Sequence, residues 1–233
     1  TENDCNAYVM SNIGIYGACY KLSIIMSLFI QAFKFAAEPF FFSKMKNADA
    51  KQTYSNVMKV YFIFLLFIFL GVIAYMDILQ YFVGEEYRSG LKVVPILLAA
   101  NLCLGVYYNL SIWYKVSDKT IYGAYISIIG AVVTLVLNYL LVPQFGYMGA
   151  AYTTLICYFL IMVICWAFGQ KYYPVKYPLK RLFLYTMLAF GLFMLMNNNT
   201  IANIPLKLFV NSILLLAFAA VAYWFELRKA LKR

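Results

Sequence analysis

The chain has 233 residues, 65% of them hydrophobic and only 12% charged, with a formal net charge of +10 and no histidine. Soluble domains are about half apolar and a quarter charged, so this composition excludes an ordinary soluble domain and points to a polytopic membrane protein. A nucleic-acid-binding role is also excluded, because no basic soluble face exists to hold a duplex.

A bilayer-crossing helix needs roughly 20 apolar residues, and seven stretches meet that length. In chain order they are about 13–42, 57–80, 91–114, 120–142, 147–168, 181–197 and 205–225. The connections are short and polar. The expectation is one all-α helical membrane unit, since only helices or closed barrels satisfy every backbone group in lipid. The chain opens on Thr1 with no signal peptide before the first span, and is read as a piece of a longer protein.

Lysine and arginine fix an orientation. Loop 43–59 holds Lys44, Lys46, Lys51 and Lys59, and loop 115–119 holds Lys115 and Lys119. Loop 169–181 holds Lys171, Lys176, Lys180 and Arg181, and the tail holds Arg228, Lys229, Lys232 and Arg233. That side carries 14 cations, while the other carries Arg88, Lys92 and Lys207. By the positive-inside rule the N-terminus, with Cys5, lies outside and the C-terminus in the cytoplasm. The acidic residues Glu2, Asp4, Asp77, Glu85 and Glu86 fall on the outer side.

Span one is the unusual one. "SLFIQAFKFAAEPFFFSK", residues 27–44, sets Gln31, Lys34 and Glu38 among phenylalanines. Tyr20, Ser27, Gln31, Lys34 and Glu38 recur at steps of 7, 4, 3 and 4, and so share one helix face. A charge at the bilayer centre costs about 2.5–3.5 kcal/mol on insertion scales, and is tolerated where the face lines a water-filled cavity or meets a partner. Lys34 and Glu38 stand i, i+4 and can pair. Glu38, beside Pro39 and near Lys44, also suits snorkelling into headgroups. Lys21 suits snorkelling and cavity lining equally. Glu38 is read as the only carboxylate inside a span.

Span three carries Asn101, Tyr108 and Asn109 on one side, suited to interhelical hydrogen bonds or to lining a path. Span four presents Gly123, Ser127, Gly130, Thr134 and Asn138, a small-residue face suited to close helix packing, with Asn138 an amide that needs partners. Span five opens with a second small face, Gly146, Ala150 and Thr154. Cys5, Cys19, Cys103, Cys157 and Cys165 show no CxxC spacing, and the four in or near spans read as small apolar residues. Without histidine, a phosphate loop, paired carboxylates or a nucleophile elbow, no catalytic, cofactor or metal site is expected.

"LNYLLVPQFGYMGAAYTTLICYF", residues 137–159, resembles a signature of the bacterial O-antigen and capsule repeat-unit flippases of the multidrug/oligosaccharidyl-lipid/polysaccharide exporter superfamily. The matching positions are Asn138, Pro143, Phe145, Gly146, Gly149, Ala150 and Ala151. "VGEEYRSGLKVVPILLAANL", 83–102, resembles the family's Gly-x-Glu-Tyr loop and its Pro-containing helix. "IGIYGACYKLS", 13–23, resembles the start of an early C-lobe helix.

The resemblance implies a two-lobe, alternating-access transporter of the bacterial inner membrane. Residues 1–170 would be five helices of an incomplete C-lobe and 171–233 two additional helices with a basic tail, the N-lobe being the missing partner. It implies a sugar chain on undecaprenyl pyrophosphate as substrate, moved from inner to outer leaflet for surface polysaccharide synthesis, with Lys34 and less directly Lys21 meeting the anionic headgroup. The candidate path is Lys34, Gln31, Glu38, Lys21, Tyr20, Asn101 and Asn138, with Glu38 also placed to join proton or sodium coupling. The alternatives are a multidrug exporter of the same superfamily and a membrane-embedded envelope polysaccharide polymerase or ligase.

Overall fold

The computed structural model describes the backbone of residues 2–199 and 203–227, and the side chains of 9–199 and 203–226. Arg228, Lys229, Lys232 and Arg233 lie outside the described residues, as do the side chains of Glu2, Asp4 and Cys5. The helices are α1 Glu2–Lys44, α2 Ala50–Ala74, α3 Met76–Leu79, α4 Val94–Leu110, α5 Ile112–Val116, α6 Ile121–Phe145, α7 Tyr147–Tyr172, α8 Leu179–Asn197 and α9 Ile204–Ala222. Glu85–Val93 forms a 3-10 segment before α4, and α9 ends in a π-turn at Tyr223–Leu227. Seven of these helical stretches are long and apolar enough to cross a bilayer, so the chain is an all-α polytopic membrane bundle.

Several boundaries differ from the hydropathy reading. The first helix begins at Glu2 and runs 43 residues, about 65 Å at 1.5 Å per residue. It passes through Pro39, where the Phe35 carbonyl loses its helical donor. The second begins at Ala50, seven residues before the expected edge, and stops at Ala74. Its first two turns are polar, so hydropathy counts them as loop although helix geometry continues through them.

The core centres on α4, which packs on α1, α2 and α7. The α6 helix lies at one flank against α7, while α8 and α9 both lean on α2. The largest buried cluster joins Met26 and Ile30 of α1, Leu65 and Leu66 of α2, Leu98 and Val106 of α4 and Cys165 of α7. Away from these contacts the surface is greasy: Leu135 is 72% exposed and Leu184 67%. In water such patches would drive aggregation; lipid tails cover them without cost.

Glycine sets the closest helix approaches. A β-carbon on Gly149 would stand 2.4 Å from the Leu141 carbonyl oxygen, so α6 and α7 meet there backbone to backbone. Gly146 turns the corner between them at φ +57°, a left-handed value that glycine adopts freely. The small face of α6 does pack on α7. Gly130 lies against Ile161, the Cys157 thiol donates to the Gly130 carbonyl at 3.3 Å, and Thr134 hydrogen-bonds that same sulfur at 3.2 Å.

On α7 the buried small residues are Gly149, Ala151, Thr153, Cys157, Cys165 and Gly169, not the expected Gly146, Ala150 and Thr154. One position along a helix is about 100° of rotation, and the expected set instead turns toward α1, where Asn12 approaches Gly146 and Thr154 meets Tyr16.

Two of the stretches that carry the family resemblance meet in space. Tyr87, from the Gly-x-Glu-Tyr loop, packs its ring on Gly14 of α1, and its carbonyl accepts from the Cys19 thiol at 3.5 Å.

Candidate functional site

The bundle has a lysine-rich end and an opposite end. At the first, Ser55 donates to the Lys176 carbonyl at 2.8 Å, Lys51 lies over the Tyr173 ring, and Tyr54, Phe41 and Ile112 pack together. Burial pushes the Tyr173 and Tyr177 phenols in this loop up from their ordinary range. At the opposite end, Lys207 pairs with Asp77 at 2.8 Å, and the Asn211 amide donates to the Ala74 carbonyl at 3.1 Å.

The first helix buries Cys19, Leu22, Ser23, Met26, Ile30, Ala37 and Phe41. At 100° per residue its polar stripe lies about 90° round from that packed face. The stripe therefore borders the protein rather than the core. Tyr20, Ser27, Lys34 and Glu38 are half-buried and Gln31 is exposed.

The Lys34 ammonium stands 4.8 Å from the centre of the Tyr108 ring on α4. Its neighbour Phe33 turns the other way and stacks on Tyr61 of α2 at 3.7 Å. Further along α1, Tyr16 and Tyr20 stack at 6.0 Å. Tyr158 of α7 lies within electrostatic reach of Tyr16, Tyr20 and Tyr108.

Three helices thus present four half-buried tyrosines on one wall, with Lys34 at its lysine-rich end. At the opposite end the wall closes on a cluster of Val93, Leu97 and Ala151, packed by Tyr16 and Tyr20. Phenol hydroxyls and ring faces suit polar uncharged groups, and the ammonium suits an anion.

Glu38 does not pair with Lys34. It forms an ion pair with Lys115 of α5, and the two side chains are 35% and 24% exposed. Sequence spacing offered the i+4 lysine on the same helix; the fold supplies a closer one from a neighbouring helix.

The remaining candidates are not brought to the wall. Lys21 is exposed and sits about 100° from the stripe. Asn101 is buried and donates to the Ser23 carbonyl at 3.2 Å, an interhelical tie rather than a path residue. Asn138 lies on α6, half-buried. Asn109 is buried in α4.

Glu38 is also not the only carboxylate within a span. Glu226, in the π-turn that continues α9, is 6% exposed, and accepts Lys59 at 2.5 Å and Arg181 at 3.1 Å. Hydropathy ended the last span at 225, one residue short of it. The basic residues 59 and 181 were counted as loop charges, so no sequence signal joined the three. Tyr158 was missed because aromatic residues are everywhere in these spans and one more carries no signal.

Fold and wall together define a polytopic helical membrane protein with a cationic, tyrosine-lined face. No family model, curated protein or solved structure matches the chain.

Proposed function

We infer that the chain is the C-lobe region, with two following helices, of a flippase that moves lipid-linked oligosaccharides across a bacterial inner membrane. The observation that carries this reading is Lys34: a cation inside a membrane helix, half-buried on a wall of tyrosines and paired with a ring rather than with a carboxylate. A substrate of sugars on a pyrophosphate needs an anion contact beside surfaces that accept hydroxyls and sugar faces, and this wall offers both. The family resemblance of residues 137–159, 83–102 and 13–23 supports the same reading. Translocation makes and breaks no bonds, so the residues act by binding and release, not as an enzyme.

In this reading the lysine-rich end faces the cytoplasm, and the exposed side of α1 meets a further six-helix lobe, the N-lobe that the resemblance implies. A drug pump for organic cations is less well supported. Among the described residues, Glu38 of α1 and Glu226 of the π-turn after α9 are both held by cations. The same pairing engages Glu38 with Lys115, which weighs against Glu38 as the binding site of a coupling ion.

The test is surface polysaccharide in cells carrying Lys34 variants at the native locus, with membrane abundance measured alongside. Losing one charge-assisted contact of about 1.5–3 kcal/mol weakens binding tenfold or more. Lys34→Arg should keep most of the polymer, Lys34→Gln lose most of it and Lys34→Glu nearly all. Full polymer from Lys34→Glu at normal abundance would sink the reading.

A further inference from the structure

Near the lysine-rich end α8 and α9 both rest on α2, and a cleft of about 200 Å³ opens between them. Its throat is hydrocarbon: Leu184 and Leu188 from α8, Val221 from α9 and Phe225 from the π-turn that follows it. Its mouth is charged, formed by Arg181 and Glu226.

The charge there does not cancel. Glu226 is one buried carboxylate facing two cations. Lys59 is turned inward, its side chain 16% exposed, and bonds Glu226 at 2.5 Å. Arg181 is 52% exposed and spends only Nη1 on the carboxylate, at 3.1 and 3.3 Å. Its Nε and Nη2 take no protein partner among the described residues, which leaves part of a planar donor fork open at the mouth. Lys180 is the preceding residue.

We propose that this cleft binds an anionic glycerophospholipid, its phosphate on Arg181 and one acyl chain in the throat. Each part of the site matches a part of that molecule. The guanidinium is the side chain best shaped for a phosphate, and the excess positive charge favours a lipid with net negative charge over a zwitterionic one. The apolar throat lies where the bilayer supplies acyl chains, and basic pockets between membrane helices recognise lipid headgroups in this way. The site is separate from the tyrosine wall, which α1, α4 and α7 build, and does not depend on the flippase reading. The lipid would clamp the last two helices where they contact each other little.

The experiment uses the purified full-length protein in detergent, titrated with phosphatidylglycerol, with phosphatidylcholine of the same acyl chains, and with glycerol 3-phosphate. Binding is counted by native mass spectrometry and read as a shift in thermal unfolding. Phosphatidylglycerol should bind at least tenfold more tightly than phosphatidylcholine and raise the unfolding temperature by several degrees. Glycerol 3-phosphate, which lacks the chains, should do neither. Arg181→Gln should lower phosphatidylglycerol affinity about tenfold. Because that change also touches Glu226, Leu184→Trp provides the second arm: it fills the throat from a lipid-facing position, leaves the ion pairs intact and should weaken binding comparably. Equal binding of the two lipids, protection by glycerol 3-phosphate, or undiminished binding in Leu184→Trp would each overturn the proposal.

Discussion

Lys34 on α1 and Tyr108 on α4 form a cation–ring contact, the ammonium 4.8 Å from the ring centre. Such contacts are worth about 0.5–1 kcal/mol when exposed and about 2 kcal/mol when desolvated. A double-mutant cycle of Lys34→Met and Tyr108→Leu on unfolding stability should therefore give a coupling in that range. Additive effects would mean the two side chains are neighbours without an interaction. Tyr108→Phe keeps the ring and should behave as wild type in the same measurement.

The ion pair of Glu38 and Lys115 joins α1 to α5 at the lysine-rich end. Both side chains are about a quarter to a third exposed, so solvent screens the pair and its worth is about 1 kcal/mol. Glu38→Lys alone should lower the unfolding temperature, and adding Lys115→Glu should restore most of the loss. If the double reversal is no better than the single change, the pair is not formed in the membrane.

Glu226 holds the end of α9 against α2 and α8 through Lys59 and Arg181. Removing one partner of a fully buried pair costs about 3–5 kcal/mol. Arg181 is half exposed, so Glu226→Gln should cost less, about 2–3 kcal/mol. Hydrogen exchange should rise in residues 179–222 while α4 and α7 stay protected. Glu85→Gln, at a side chain 86% exposed, is the control and should change nothing.

Two glycine substitutions should differ in sign. Gly149→Ala drives a methyl into the Leu141 backbone and should cost at least about 1–3 kcal/mol, seen as lower folded yield. Gly191→Ala has open space around it and should be neutral or stabilising, by up to about 1 kcal/mol of helix propensity. Equal tolerance at both positions would mean that α6 and α7 do not approach as closely as described.

Orientation is testable by thiol chemistry. In a cysteine-free background, Glu85→Cys should react with a membrane-impermeant reagent on intact cells, and Lys176→Cys only after the membrane is opened. Labelling of position 176 at the rate of position 85 would reverse or discard the orientation drawn from the cation bias.

Much of the architecture was legible in the sequence because the signals are additive along the chain. Hydropathy sums over a window, so seven spans emerged with edges shifted by a few residues. The polar stripe of α1 was legible too, since Gln31, Lys34 and Glu38 share one helix and their angular relation needs no knowledge of neighbours. What the tertiary structure decided was every relation between helices. Glu38 takes Lys115 and not Lys34 because α5 is folded beside it. Glu226 became a buried charge because α9 lands on α2 and α8, an arrangement no window reports. The packed face of α7 moved by one residue from the expected set, because a rotation of about 100° is free on an isolated helix. The close approach of Gly149 to Leu141 fixes it, where only a residue without a side chain lets two backbones touch.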